Sequence, residues 1–170
     1  MATQNDPPIR PEPRLEPTQP IAVGETAPNF TLTNQDKDPW TLADAVKKGH
    51  VALCFYPMDF SPVCSTEMKC VTDQMADWQS RGVEVVGISC DSFFVHEAWA
   101  NAMGLKQTLL ADMHRDVCKA YGFYWPDLNI AGRGTVLIEQ ADNGQGRVRW
   151  VEKRDIPEAM ALENLLAILA

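Results

Sequence analysis

The sequence predicts an α/β fold in which a mixed central sheet is flanked by helices. Between residues 51 and 121, short apolar runs of strand length alternate with segments of helical periodicity, an order typical of strands joined by helices. Two later strand-like runs, 135–139 and 147–152, flank the turn residues 142–146 and predict a hairpin. A last helix is predicted over residues 157–169.

A single domain accounts for most of the chain. It has 170 residues, of which 45% are hydrophobic, enough for one proper core. Residues 1–20 contain six prolines and few apolar side chains, so they are predicted to form a disordered or extended tail. The domain is predicted to span residues 21–170, without an internal repeat.

Charge and hydrophobicity exclude several classes of partner. The net charge is −8 and there is no basic run, so we expect neither a nucleic-acid partner nor a membrane surface. The apolar segments are too short to span a bilayer, and the N-terminus lacks the apolar core of a signal peptide. We therefore expect a cytoplasmic protein.

The elements around the centre of the domain follow from local signals. Residues 27–33 alternate as in a strand, and residues 41–49 resemble a short helix closed by a glycine. After the centre, 83–89 reads as a buried strand and Ser92 as the cap of a helix. A strand at 108–111 and a short helix at 115–121 follow.

The central stretch is a buried strand followed by a helix. Val51–Tyr56 is an apolar run that Pro57 ends, since proline cannot donate to a ladder. Ser61 is a favourable N-cap, and Pro62 fits the first helical turn. One helix reaching to Gly82 is predicted because apolar side chains recur at helical spacing: Cys64, Met68, Val71, Met75 and Trp78.

This frame makes Cys64 the third residue of the helix. Free backbone N–H groups and the positive end of the helix dipole lie there, and both favour a nucleophilic thiolate over a thiol. A lone cysteine at such a position also serves as a small apolar core residue. The helix frame alone leaves both interpretations open.

The residues around Cys64 form a longer motif. Pro57, Ser61 and Cys64 give Pro-x-x-x-Ser-x-x-Cys, within Tyr-Pro-Met-Asp-Phe-Ser-Pro-Val-Cys-Ser-Thr-Glu. This resembles the peroxidatic loop of peroxiredoxins, the alkyl hydroperoxide reductase/thiol-specific antioxidant superfamily. The resemblance runs from about Val23 to the C-terminus and implies a thioredoxin-like fold with an N-terminal strand or hairpin extension. The Gly-Arg-Gly-Thr segment at 132–135 and the short C-terminus look most like the alkyl hydroperoxide reductase E and bacterioferritin comigratory protein groups.

The resemblance implies a thiol-dependent peroxidase without metal, haem or flavin. Cys64 would attack hydrogen peroxide or an organic hydroperoxide and become a sulfenic acid, which a thiol then reduces. Arg133 would lie beside the sulfur and steady the peroxide. By the same analogy Ser61 would bind the peroxide, Glu67 would orient the arginine, and Pro57 would shape the loop and shield the sulfur.

Each of these residues also has a plain structural explanation. Arg133 precedes a predicted strand and could be an ordinary turn residue. Glu67 suits the first turn of a helix by its charge. Ser61 could act only as a cap, although one hydroxyl can both donate and accept.

The remaining cysteines offer candidates for reducing the sulfenic acid. The five cysteines include no C-x-x-C pair, and the three histidines show no ligand spacing, so no metal site is expected. Cys54 and Cys90 are expected in the core, and Cys118 could face either way. Cys70 follows Cys64 by six residues, which in a helix separates the side chains by about 120° and about 9 Å along the axis. A disulfide needs Cα atoms within about 7 Å. Resolution by Cys70 is therefore expected to be slow, with a thioredoxin-like protein or a small thiol as the main reductant.

Two other functions use the same residues. A peroxide-sensing or chaperone-like protein would use the oxidation of Cys64 to change partners. A thioredoxin-like disulfide reductase is disfavoured because it needs a C-x-x-C pair at the helix start. A homodimer that pairs near the active site is the assembly that the resemblance suggests.

Overall fold

A computed structural model describes residues 6–12, 14–160 and 162–169 of the chain. Nine strands are described: β1 Thr31–Asn34, β2 Pro39–Thr41, β3 His50–Phe55, β4 Val83–Ser89, β5 Thr108–Ala111, β6 Tyr124–Trp125, β7 Ile130–Ala131, β8 Arg133–Gln140 and β9 Gly146–Arg154. Six helices are described: α1 Leu42–Ala45, α2 Pro62–Asp73, α3 Met75–Ser80, α4 Phe93–Met103, α5 Asp116–Tyr121 and α6 Leu162–Leu169.

Seven of the strands form one mixed sheet in the order β2-β1-β5-β4-β3-β8-β9. β3, β4 and β5 are parallel, as expected for strands joined by helices. β8 pairs antiparallel with both β3 and β9, and the β1-β2 hairpin extends the opposite edge. This confirms the predicted α/β fold with its mixed sheet and N-terminal hairpin.

The sheet has a hydrophobic core on each face, because successive side chains of a strand point to opposite sides. In β3, Val51, Leu53 and Phe55 enter the core that contains α1 and α5. Ala52 and Cys54 enter the other core, which contains α2, α3 and α4. The helices therefore cover both faces, and α2 shares its face with α4.

The residues before the domain are irregular but make contacts with it. The carbonyl of Ile9 accepts from the Thr31 N–H at 2.9 Å, and that of Thr18 accepts from Lys153 Nζ at 2.8 Å. Arg14 forms an ion pair with Glu25 at 3.1 Å. The boundary at residue 20 stays a prediction, and residues 1–5 lie outside the described part of the chain.

The single helix predicted from Pro62 to Gly82 is wrong, because it is divided at Gln74 into α2 and α3. Contacts with the segment before β5 accompany the division. The Thr72 hydroxyl accepts from the Lys106 N–H at 3.2 Å, and Gln107 donates to the Met68 carbonyl at 3.0 Å. The helical spacing continues across the break, so the sequence pattern could not reveal it.

Other boundaries also differ from the prediction. β1 begins four residues late, at Thr31, because the Ala27 N–H instead bonds the Gly146 carbonyl at 2.9 Å. α1 ends at Ala45 rather than at 49, and α6 begins at Leu162 rather than at 157. The short β6-β7 pair was not predicted. Among the described residues, none of the helices combines the length and apolar character that crossing a bilayer requires.

Candidate active site

Cys64 is the third residue of α2, as predicted, and it is fully buried. The helical bonding begins with the Ser65 N–H donating to the Ser61 carbonyl at 2.9 Å. The N–H groups of Val63 and Cys64 therefore precede the intrahelical ladder at the positive end of the helix. Ser61 has the extended backbone of an N-cap, and Pro62 occupies the first turn.

Arg133 reaches the Cys64 sulfur from the neighbouring strand. β8 pairs with β3 through Phe55 and Gly134, so Arg133 lies just beyond the end of β3, where the loop to α2 begins. Its Nη2 donates to Cys64 Sγ at 3.2 Å, its Nε donates to the Ile156 carbonyl at 2.8 Å, and its side chain is almost fully buried. This arginine is the first residue of a strand and not a turn residue.

Glu67 holds two arginines in place. One carboxylate oxygen accepts from Arg133 Nη1, and the other accepts from Arg154 Nη2 at 2.8 Å and from the Met160 N–H at 3.1 Å. Arg154 also donates to the Thr135 hydroxyl at 3.1 Å. Because Glu67 is itself buried, these bonds restrict the Arg133 guanidinium to one orientation.

Arg154 is the member of this network that sequence reasoning missed. It faces Arg133 across the β8-β9 pair and forms an ion pair with Glu152 at 2.7 Å. Two buried arginines and two carboxylates balance in charge, so the Cys64 thiolate would add one negative charge beside a guanidinium. The sequence offered no signal for this role, because a regular hairpin register would have placed Lys153 opposite Arg133.

Ser61 does not cap the helix with its side chain. Its hydroxyl donates to the Met58 carbonyl at 2.9 Å and accepts no bond from a helix N–H. The prediction that Ser61 occupies the N-cap position is confirmed, but the prediction that its side chain makes the capping hydrogen bond is wrong. The reason is the tight loop before α2, which brings the Met58 carbonyl within reach of the hydroxyl.

A second buried network anchors that loop. Pro57 is buried. Phe60 has a left-handed backbone with φ of 62°, which is rare for a bulky residue. Asp59 accepts from the Tyr56 hydroxyl at 2.8 Å and lies 2.7 Å from His96 Nδ1. Burial raises the pKa of Asp59 above its ordinary value. The sequence indicated no role for Asp59 or His96.

The other cysteines differ in their surroundings, and all five are free thiols. Cys54 is fully buried, and burial followed by the nearby Glu67 charge raises its pKa to about 12. Cys70 is exposed although it shares α2 with the buried Cys64. The two sulfurs therefore lie on different sides of one continuous helix.

The geometry defines a class of protein. A buried cysteine at a helix start, with a fixed guanidinium 3.2 Å from its sulfur, suits a thiolate that attacks a small electrophile. The same arginine could neutralise charge on a leaving oxygen. On an α/β sheet of this topology, such a site belongs to a cysteine-dependent oxidoreductase.

Comparison with known proteins identifies the family. The AhpC/TSA family matches residues 23–151. The chain is 34% identical over 157 residues to peroxiredoxin-2 of Mus musculus, covering 86% of this chain and 77% of that protein. It is 32% identical over 157 residues to a thioredoxin peroxidase of Echinococcus granulosus, covering 86% and 79%.

Solved structures agree with this assignment. The reduced 2-Cys peroxiredoxin of Plasmodium vivax superposes with a TM-score of 0.78 at 29% identity, over 88% of this chain and 81% of that one. The peroxidoxin BcpB of Mycobacterium tuberculosis gives 0.78 at 24% identity, over 88% and 96%, and supports the fold. The chain belongs to the AhpC/TSA family and is a peroxiredoxin, a thiol-dependent peroxidase. These relatives give no support to the disulfide-reductase or sensor alternatives.

Proposed function

We propose that Cys64 is the peroxidatic nucleophile of this peroxidase. The observation that carries the assignment is the Arg133 guanidinium donating to the Cys64 sulfur at 3.2 Å. The Cys64 thiolate attacks the terminal oxygen of a hydroperoxide, the O–O bond breaks, and water or an alcohol leaves. The product is a sulfenic acid on Cys64, with no metal or organic cofactor in the step.

Arg133 acts in two ways in this proposal. In the resting enzyme its charge stabilises the thiolate by Coulomb attraction and a hydrogen bond. During attack, negative charge moves from sulfur to the leaving oxygen, and a guanidinium fixed by Glu67 can follow it without reorganising. Arg154 shares that carboxylate and positions Arg133 through it.

The remaining loop residues shape access to the sulfur. The Ser61 hydroxyl can turn from the Met58 carbonyl to the peroxide, because one hydroxyl both donates and accepts. Pro57 fixes the loop and shields the sulfur. Because Cys64 is fully buried, only the narrow –O–OH end of a hydroperoxide fits, so hydrogen peroxide and unhindered organic hydroperoxides are the proposed substrates.

An external thiol is the proposed reductant, either a thioredoxin-like protein or a small thiol. Cys70 is exposed and Cys64 is buried on the same unbroken helix, so a bond between them requires the first turns of α2 to unwind. Peptide mapping after peroxide treatment tests this. We expect at most slow, partial Cys64–Cys70 linkage, and quantitative linkage within seconds would contradict the proposal.

The proposed assembly is a homodimer, and the proposed location is the cytoplasm. Met58 and Phe60 of the active-site loop and Phe94 at the start of α4 are exposed apolar side chains, which suits an interface beside the active site. Light scattering during gel filtration tests the dimer against a monomer. Membership in the two subgroups named above stays a prediction.

Intact-mass analysis after one equivalent of hydrogen peroxide tests the central assignment. We expect one added oxygen on the wild-type protein and none on the Cys64→Ser variant. A matched Cys70→Ser variant should gain the oxygen as wild type does. If Cys64→Ser is oxidised as fast as wild type, Cys64 is not the nucleophile.

A further inference from the structure

Three groups that the peroxidase site does not use meet on the face of the sheet opposite Cys64. The sulfurs of Cys90 and Cys118 and a carboxylate oxygen of Asp112 all lie within 4.8 Å of one another. β4 and β5 are parallel with Ser89 opposite Ala111, so the residues that follow, Cys90 and Asp112, are neighbours. α5 begins a few residues later and brings Cys118 against both.

This cluster is separated from Cys64 by the sheet. Cys118 belongs to the core formed with α1 and α5, against which Cys90 also packs. Cys64 belongs to the core on the opposite face. The Cys64 sulfur therefore cannot exchange directly with either of these thiols in the folded domain.

The two thiols of the cluster differ in access. Cys118 is fully buried, whereas Cys90 is half-buried. Cys118 Sγ donates to the Arg115 carbonyl at 3.4 Å. A hydrogen bond with Cys90, burial and the Asp112 carboxylate raise the pKa of Cys118 far above its ordinary value. Cys90 is thus the sulfur that an oxidant meets first, with Cys118 held next to it as a neutral thiol.

We propose that Cys90 and Cys118 form a second, reversible dithiol–disulfide pair that works independently of Cys64. The sulfur of Cys90 attacks hydrogen peroxide, the O–O bond breaks, and water leaves a sulfenic acid on Cys90. The sulfur of Cys118 then attacks the sulfur of Cys90, and the S–O bond breaks. The Cys118 proton passes by way of the Asp112 carboxylate to the departing hydroxide. Two thiols and one peroxide become one disulfide and two waters.

A disulfide fits these atoms better than a bound cation. Both oxygens of Asp112 already accept backbone N–H groups, from Val117 at 3.2 Å and from Cys118 at 2.8 Å. A thiophilic cation would have to compete with these bonds and remove protons from both thiols. Linkage needs only that the sulfurs close from within 4.8 Å to the roughly 2 Å of a disulfide.

The test uses the full chain with Cys64→Ser, so that the peroxidase chemistry cannot contribute. The variant is treated with excess hydrogen peroxide, alkylated and mapped by peptide mass. We expect a Cys90–Cys118 peptide, lighter by two hydrogens than the sum of its parts, which dithiothreitol reverses. Adding Cys118→Ser should abolish the link and leave Cys90 over-oxidised, whereas adding Cys54→Ser, a buried thiol outside the cluster, should leave it intact.

Three results would overturn the proposal. The first is that both thiols stay separately alkylatable after excess peroxide. The second is over-oxidation of Cys90 without linkage when Cys118 is present. The third is stoichiometric zinc binding that protects both thiols and is lost on Cys118→Ser, which would make the cluster a metal site. None of these results bears on the peroxidase role of Cys64, because that residue is replaced throughout.

Discussion

Two helices of this protein carry a cysteine at the same position, but the two thiols have neighbours of opposite charge. Cys64 is the third residue of α2 and Cys118 the third residue of α5, and both are fully buried. Each helix follows a residue with a left-handed backbone, Phe60 or Arg115, both with φ of 62°. By local position alone the two thiols are equivalent.

Their partners make the difference. Cys64 accepts a hydrogen bond from the Arg133 guanidinium at 3.2 Å. Cys118 instead lies beside the Asp112 carboxylate, which also takes up the N–H groups at the start of α5. A cation favours the thiolate and an anion favours the thiol. The position at a helix start is therefore not sufficient for a reactive thiolate. The charge of the neighbouring side chain, Arg133 for Cys64 and Asp112 for Cys118, decides which form of the thiol is favoured.

Replacing each of the two cysteines by serine should give the largest difference in peroxide turnover. Cys64→Ser should lower peroxide turnover at least about a thousandfold, because serine cannot supply a thiolate. Cys118→Ser should leave turnover with dithiothreitol within about twofold of wild type, since the catalytic network does not include it. Steady-state peroxide consumption measures both. Comparable losses in the two variants would mean that the helices are not functionally distinct.

Removing the Arg133 guanidinium should make Cys64 less reactive, as Cys118 is. Arg133→Met is expected to slow peroxide attack about a hundredfold, the scale of losing one charged donor at a reacting centre. Arg133→Lys should recover only part, because an ammonium cannot bind the sulfur and Glu67 as a fork.

Stopped-flow oxidation of Cys64 measures this effect. Arg149→Met is the matched control, because Arg149 lies exposed on the same hairpin and should not change the rate. A loss confined to thermal stability, with the oxidation rate unchanged, would assign Arg133 to the fold alone.

Removing the Asp112 carboxylate should make the Cys118 thiol behave more like Cys64. Burial raises the pKa of Asp112 from 3.8 to about 6, so between about pH 4 and 6 the folded protein holds a proton that the unfolded chain has released. The free energy of unfolding contributed by this group therefore falls as pH rises through that window, by up to about 3 kcal/mol. Asp112→Asn should remove that slope.

Chemical denaturation at pH 4 and pH 7 compares the two proteins. Asp112→Asn should also increase alkylation of Cys118, because the Asp112 charge, which acts with the Cys90 hydrogen bond and burial to raise the pKa of Cys118, is gone. Asp127→Asn, at an exposed position outside this cluster, serves as the control. An unchanged slope and an unchanged alkylation rate would show that Asp112 does not set the state of Cys118.

Ser61 should show the smallest effect. Ser61→Ala removes one partly exposed hydrogen bond to the Met58 carbonyl, worth about 1 kcal/mol, and should lower the oxidation rate only a few-fold. Ser61→Thr should keep both the hydrogen bond and the oxidation rate. Ser65→Ala on the same turn is the control. A loss as large as that of Arg133→Met would make the hydroxyl a main peroxide ligand.

The sequence by itself determined the parts that depend on neighbouring residues. The buried run before Pro57, the N-cap position of Ser61 and the place of Cys64 in α2 all follow from local propensity and spacing. The resemblance then indicated Arg133 and Glu67, and the structure places Arg133 against the sulfur and Glu67 against Arg133. These features are encoded within short segments, so they can be read in order along the chain.

Only the tertiary structure decided which distant charges meet these segments. Arg154 faces Arg133 because a bulge between Leu137 and Ile138 shifts the β8-β9 register by one residue, and a regular hairpin would have placed Lys153 there instead. The pairing of Cys118 with Asp112 likewise depends on how α5 packs at the end of β5. Strand register and helix packing depend on the whole core, so short segments do not reveal them. They decide which charged side chain lies beside each thiol, and that neighbour sets the charge state of the thiol.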